Sequence, residues 1–232
     1  MMDAPLDYLS QSPLKHMDMI VPIERGTAHI LYAAKDGVCL KEMKSGAYMM
    51  SVVSHEAGKK LIETLPKSGL FTFHQDFMKK DFEVNIKYET FIENYQAVYF
   101  GKELLSTSDN MSLKPLNDSH FGIIVKNYDV NVDEDYLSKL IEEGNLFGGF
   151  VDSRLIGFVG IHAEGSIGLL KVFDEYLGKG YGTMLVRHIT NHQLSLSDTP
   201  FAQVGINNEA SLAVFRKLGY SISDERVYWA WS

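Results

Sequence analysis

The sequence predicts a layered α/β protein of the α+β kind, built in two similar halves. Three observations predict it. Apolar runs of strand period alternate with runs of helical period along the whole chain. Turn signals at Lys35-Asp36-Gly37, Lys44-Ser45-Gly46 and Asp152-Ser153 place hairpins in both halves. The order of elements in the first half also returns in the second, with "LFTFH" matched by "PFAQV" and "AVYF" by "RVYWAW". That regularity suggests a duplication, and two unrelated α+β domains are the alternative.

In order, "HILYAA" and "VCLKEM" form the first hairpin, and "AYMMSVVS" a third strand. A helix in "HEAGKKLIETL", a strand in "LFTFH", a helix near "QDFMKKDFEV" and a strand in "YQAVYF" complete the half. "GKELLSTSDN" looks like a linker, which divides the chain into 1–105 and 106–232. The second half opens with the strand "MSLKPL", and short helices start at Asp118 and Asp133. Strands "LFGGFV", "RLIGFVGIHA" and "SIGLLKVF" follow, then a glycine loop and its helix. The strand "FAQVGI", the helix "NEASLAVFRKL" and the strand "RVYWAW" close the chain. Gly219 just after Arg216 and Lys217 is a helix stop signal.

The totals bound the function. The chain has 232 residues, 45% hydrophobic and 22% charged, as ordinary globular proteins do. A net charge of −8 argues against nucleic acid, which needs a basic face. No apolar run approaches the roughly 20 residues of a membrane span, and the start resembles no secretory signal. A single cysteine, Cys39, cannot close an internal disulfide and reads as a small buried hydrophobe. A cytoplasmic protein is expected. His188 and His192 have zinc-like spacing but no third ligand nearby, so no metal is expected. "FHQDF" at Phe73 to Phe77 either lines an acceptor pocket with His74 or is a helix entry with Asp76 near the dipole.

The informative stretch is "EYLGKGYGTMLVRH", Glu175 to His188, where glycines at every second position lie between a strand and a helix. Such a loop aims bare backbone N–H groups at an anion. A Rossmann fingerprint would need glycine at Thr183, and a Walker loop would need Ser or Thr at Gly180. Both fail. The window Leu177-Gly178-Lys179-Gly180-Tyr181-Gly182 resembles the acyl-CoA loop of the GNAT acetyltransferase superfamily in its small positions, Gly180 and Gly182. Leu177 departs from it, standing where Gln or Arg is usual, and Lys179 is a substitute charge. "NEASLAVFRKLGY" is similar to the later block, with Asn208 opening a helix and Lys217-Leu218-Gly219-Tyr220 ending it. "LYAAKDG", "KSGAYMMSV" and "NYQAVY" look like a clostridial-type two-domain group. That group joins a degenerate GNAT-like half to a domain similar to glycine N-acyltransferase.

The resemblance implies a mixed, mostly antiparallel central sheet flanked by helices, in tandem with a degenerate copy. It implies acyl transfer, most directly acetyl from acetyl-CoA to the amine of a small molecule or amino acid, without a covalent enzyme intermediate. The backbone of Leu170 and Val172 would pair with pantetheine, and the N–H of Val172 or Phe173 would polarise the thioester carbonyl. Gly178, Lys179, Gly180, Tyr181, Gly182, Thr183 and Asn208 complete the implied cofactor-binding set. Glu164 is the candidate base, on the ground that Glu164 and Ser166 share the strand parity of Leu170 and Val172. The family's acid tyrosine is replaced by Phe215, which leaves Ser211 or Tyr181 for that role, or CoA leaving as the thiolate without an acid. A CoA-binding or regulatory protein without turnover is the alternative that Leu177 and Phe215 support. A dimer surface on the first half is compatible with either.

Overall fold

The computed structural model describes residues 3–107, 110–128 and 133–232. Its elements are α1 (Asp3–Leu9), α2 (Pro13–Glu24), β1 (Ala28–Ala34), β2 (Gly37–Glu42), β3 (Tyr48–Val52), α3 (His55–Thr64), β4 (Leu70–Phe73), α4 (Lys79–Asn85) and β5 (Thr90–Val98). There follow β6 (Ser112–Pro115), α5 (Phe121–Asn127), α6 (Glu134–Glu142), β7 (Leu146–Val151), β8 (Arg154–Ile161) and β9 (Ile167–Val172). Last come α7 (Tyr181–Ser195), β10 (Phe201–Gly205), α8 (Glu209–Lys217) and β11 (Ser221–Trp231). The strands join in one sheet in the order β1-β2-β3-β4-β11-β5-β10-β9-β8-β7-β6. Only β3–β4 and β9–β10 are parallel pairs, so the sheet is mixed and mostly antiparallel.

That order repeats itself about the β11–β5 pair. Outward on one side run β4, β3, β2 and β1; on the other run β10, β9, β8 and β7. Each half gives its last strand to the other. β11 pairs with β4 through Tyr228↔Phe73, and β5 pairs with β10 through Val98↔Phe201. The two exchanged strands also pair with each other, Trp231 opposite Thr90. β-Period alone carries no information on such non-local partners, so sequence reading does not find the exchange.

The helices cover both faces. α7 and α8 pack through Leu185, Val186, Ile189, Leu212 and Phe215 against Val159, Ala202 and Val204. The opposite face holds α5 and α6 over Phe158, Leu146 and Leu169, and α1 and α2 over Val98, Phe201 and Trp229. α1 and α2 have no counterpart in the sequence-based expectation, which assigns no element before "HILYAA". Their signal was present: Ser12 precedes Pro13 at the start of α2, a favoured first-turn place for proline. Pro22 inside the same helix obscures it. Cys39 is buried as expected, and burial pushes its thiol up to about 12. Of the expected linker, Ser108 and Asp109 lie outside the described residues. Leu105 is held at both backbone groups by the Asn191 amide, at 2.7 and 2.8 Å.

Candidate functional site

β9 and β10 touch as parallel strands at one register position, Ala202↔Ile167, and separate beyond it. The cause lies in β9. Leu169 takes a φ of 53°, and the β8–β9 register shifts between Phe158 and Gly160, a bulge that bends the strand away. Past the bulge Phe173 N–H donates to Ile156 O at 3.0 Å. Backbone directions alternate along a strand, so the N–H of Val172 faces the gap beside β10. Phe173 faces away from the gap: its N–H is already bonded, and its ring is buried against Phe158. Of the expected pair, Val172 is the N–H that faces the opening.

The bulge also corrects the parity assigned to Glu164. Leu170 and Val172 pack on the α7 side with Ile167, because the extra residue reverses the alternation. Ser166 and Gly168, as neighbours of Ile167, face the other side. Glu164 is 6% exposed and accepts a hydrogen bond from Ser166 Oγ. The adjoining Gly165 is covered by the Arg25 guanidinium and held through its carbonyl by Gln193 Nε2 at 2.8 Å. Tyr136 stands on the same side, with Oη 2.6 Å from His162 Nδ1. Burial, and then the Glu164 charge, raise the Tyr136 phenol. Glu164 thus sits in a closed polar cluster at the end where β9 and β10 meet.

At the open end, β9 leads through one 3₁₀ turn to the glycine loop. Gly178 and Gly180 have φ of 74° and 82°, and a Cβ on either would meet nothing within 4 Å. The backbone conformation, not crowding, calls for glycine here, and the space above the loop is open to a ligand. Gly180 is the N-cap of α7, with no side chain capping it. The first bond of the helix runs from Met184 N–H to Gly180 O at 3.2 Å. The N–H groups of Tyr181, Gly182 and Thr183 precede it, so they lack intrahelical acceptors and carry the positive end of the helix dipole. A Cβ on Gly182 would lie 3.7 Å from Val172, which joins the loop to the mouth of the gap. Lys179 folds back, its Nζ 3.1 Å from Glu175 O and 5.5 Å from the Tyr176 ring centroid. Leu177 is 59% exposed.

The other expected residues lie on the α8 side. Asn208 caps α8, accepting from Ser211 N at 3.0 Å. Ser211 is half-buried in the first turn. Phe215 is 3% exposed and packed edge-on against Tyr220 at 4.9 Å. Tyr181 is half-buried beside Tyr176. Among the described residues no group of three His, Cys, Asp or Glu side chains could hold a metal ion, and no helix is long and apolar enough to cross a membrane.

The corresponding gap in the first half is closed by its own side chains. β3 and β4 also run parallel, pairing from Tyr48↔Phe71 to Met50↔Phe73. Just beyond, Val52 N–H donates to Gln75 Oε1 at 3.1 Å, so a glutamine occupies the backbone donor that Val172 leaves facing its gap. The helix after β3 is capped by Ser54, which accepts from Ala57 N. Its one glycine, Gly58, admits the Met78 thioether, within 2.0 Å of where a Cβ would stand. Behind Gln75 lies a polar cluster that sequence reading missed, apart from His74. Asp18, fully buried, accepts from Gln96 at 3.1 Å and Gln203 at 3.2 Å, and its Oδ1 is 2.9 Å from His74 Nε2. His16 bridges Leu9 O at 3.0 Å and Ser51 Oγ at 2.8 Å. These residues come from α2, β3, the turn just after β4, β5 and β10, a dispersion that no local motif reports.

This architecture is similar in fold to that of solved GNAT acetyltransferases. A GNAT-family acetyltransferase from Colwellia psychrerythraea superposes with a TM-score of 0.55 at 14% identity, covering 98% of this chain and 97% of its own. A putative GNAT acetyltransferase from Novosphingobium aromaticivorans gives 0.56 at 11%, covering 94% and 97%. A Drosophila protein gives 0.70 at 12% identity, covering 100% of this chain and 95% of its own. At such identities the likeness is one of fold, and it extends over the whole chain. More particularly, residues 149–230 match the model of the family described as FR47-like protein. That segment holds the bulge, the gap, the glycine loop and the exchanged β11. No curated protein matches the sequence.

Proposed function

We propose that the protein is an acyl-CoA-dependent N-acyltransferase that moves an acyl group, acetyl in the simplest case, to the amine of a small molecule or amino acid. The observation that carries the reading is the gap between β9 and β10, which opens beside an uncapped helix start. The residues present suit the ligand. The N–H groups of Tyr181, Gly182 and Thr183 would take the pyrophosphate, where an exposed loop with two left-handed glycines lets the backbone approach closely. The backbone of Leu170 and Val172 would line the pantetheine, with the Val172 N–H aimed at the carbonyl to be attacked. When bound, the thioester supplies an activated carbonyl and a thiolate leaving group.

The amine must be neutral to attack, and water in the open gap is the proposed first proton acceptor; Glu164, the candidate from the sequence, lies in the closed cluster with Ser166 on the other face and would act only at a distance, through such water. Ser211, at the start of α8, is the proposed donor on the leaving side. One observation favours a second reading, a CoA-binding protein without turnover. The position of the family's acid tyrosine is Phe215, sealed into the core against Tyr220.

Calorimetric titration of acetyl-CoA into the wild type and into a Gly180→Glu, Gly182→Glu variant tests the first part. Binding to the wild type alone, with the variant still folded by circular dichroism, supports the loop as the pyrophosphate site. Equal behaviour of the two overturns it. Thiol release across a panel of small amines and amino acids then separates the readings, since binding without release with any amine leaves only the second.

A further inference from the structure

The face of the sheet away from α7 and α8 carries a row of side-chain amides next to the acyl gap. Ala202 and Val204 of β10 pack under α7 and α8, so Gln203 and Gly205 face the other way. On the neighbouring β5, Gln96 lies opposite Gln203 and Asn94 opposite Gly205. The two glutamines are fully engaged. Gln203 Nε2 donates to Gln96 Oε1 at 3.0 Å and to Asp18 Oδ2 at 3.2 Å, and its Oε1 accepts from the Trp229 indole. Gln96 Nε2 donates to Asp18 Oδ1 at 3.1 Å. Asn94 is different. It is 5% exposed, its Nδ2 is buried without a partner, and its Oδ1 makes no hydrogen bond among the described residues.

A buried amide without a partner costs stability, and this one stands at an empty space. A Cβ on Gly205 would lie 3.9 Å from Asn94 Oδ1 and meet no other side chain within 4 Å. The backbone at Gly205 is not left-handed, so it does not itself call for glycine. A glycine inside a strand, with room above it, is where a ligand can approach the sheet. That room borders the acyl gap, because β10 pairs with β9 only at Ala202. Counting from Ala202↔Ile167, with one residue added for the bulge, Gly205 lies level with Lys171. The next residue is Val172, whose N–H faces the gap from the other side.

We propose that Asn94 holds the acceptor amine, its Oδ1 accepting an N–H of the attacking nitrogen in the space over Gly205. The inference rests on the acyl-transfer reading and deepens it. It fixes the side from which the acceptor enters, the face opposite α7, and it asks for an acceptor nitrogen that keeps an N–H while its lone pair attacks. The new C–N bond forms as the C–S bond breaks, with the electron pair going to sulfur and the surplus nitrogen proton to water in the gap. The amide then serves as a fixed acceptor that the fold leaves unused for the substrate.

The test needs no turnover. Two CoA thioethers, one ending in an N-methylamide (S–CH2–CO–NH–CH3) and one in the methyl ester (S–CH2–CO–O–CH3), match in size and differ in the N–H. Both are titrated calorimetrically, beside acetyl-CoA, into the wild type, Asn94→Ala and Gly205→Val. The wild type should bind the amide about fivefold more tightly than the ester, the worth of one hydrogen bond. Asn94→Ala should bind the two alike, with acetyl-CoA affinity unchanged and the fold intact by circular dichroism, since no hydrogen bond of the fold is lost. Gly205→Val fills the space from the other strand and should remove the preference as well. Equal binding of amide and ester by the wild type, or a preference that survives both variants, overturns the proposal and leaves the acyl-transfer reading standing. No binding of acetyl-CoA or of either thioether overturns both.

Discussion

Acidification from pH 7.5 to 5.0 should destabilise the fold through His16. Burial, and then the neighbouring His74, lower its imidazole from 6.5 to about 3 in the folded chain. The ring is 5% exposed and fits its partners as the neutral form, Nδ1–H donating to Leu9 O and Nε2 accepting from Ser51 Oγ. Because the folded value lies below the unfolded one, the unfolded chain binds more protons between about pH 3 and 6.5. Stability from this group is complete above about 6.5 and falls as pH drops through that window. At pH 5.0 the loss amounts to about 2 kcal/mol, and it keeps that size for any folded value below about 4. Urea unfolding of the wild type and His16→Gln, followed at both pH values, isolates the effect of the His16 site, since groups remote from it titrate alike in both. Trp229 and Trp231 fluorescence reports β11 directly. The variant should start less stable at pH 7.5, having lost two buried hydrogen bonds, but should lose about 2 kcal/mol less on acidification. Parallel pH dependence of the two proteins would refute a buried neutral His16.

Leu177→Arg should tighten acetyl-CoA binding about three- to fivefold by adding a charge beside the α7 start, with the gain shrinking at high salt. Leu177 is 59% exposed, so the melting temperature should not move; calorimetry at two ionic strengths checks both points. Gln75→Ala should cost about 2 kcal/mol in urea unfolding, because Val52 N–H and Ser51 Oγ lose a buried partner. It should leave acetyl-CoA affinity unchanged, and a drop in affinity would mean that the first half's gap takes part in holding it.

The strands and most helices are legible because each is written locally, by period, turn residues and caps. Asp133 capping α6 and Gly219 ending α8 are instances. The glycine loop is legible for the same reason: its glycines at 178 and 180 take left-handed backbone angles that few other residues accept. What escaped reading is what depends on distant partners. The bulge at Leu169 has no residue signature, and it turns Glu164 and Val172 onto different faces although their spacing is even. The Asp18 cluster draws one or two residues from each of four elements and from the turn after β4. β11 looked like a closing strand of its own half, and nothing in "RVYWAW" says that β4 and β5 will lie on either side of it.

That position of β11 has a consequence for biosynthesis. The sheet of the first half is complete only when Leu70–Phe73 gains the partner at residues 228–231. A chain made at about 5–20 residues per second therefore spends many seconds with β4 as a bare edge after its own half has been translated. During that interval β4 and β5 present unpaired backbone groups to any passing strand. The charged and polar residues that interrupt β5, Glu93, Asn94 and Gln96, stand on the strand that waits with both of its neighbours, β10 and β11, still unmade. Neither half can finish ahead of the other, so nascent chains of this protein should depend on holding factors until residue 231 has emerged.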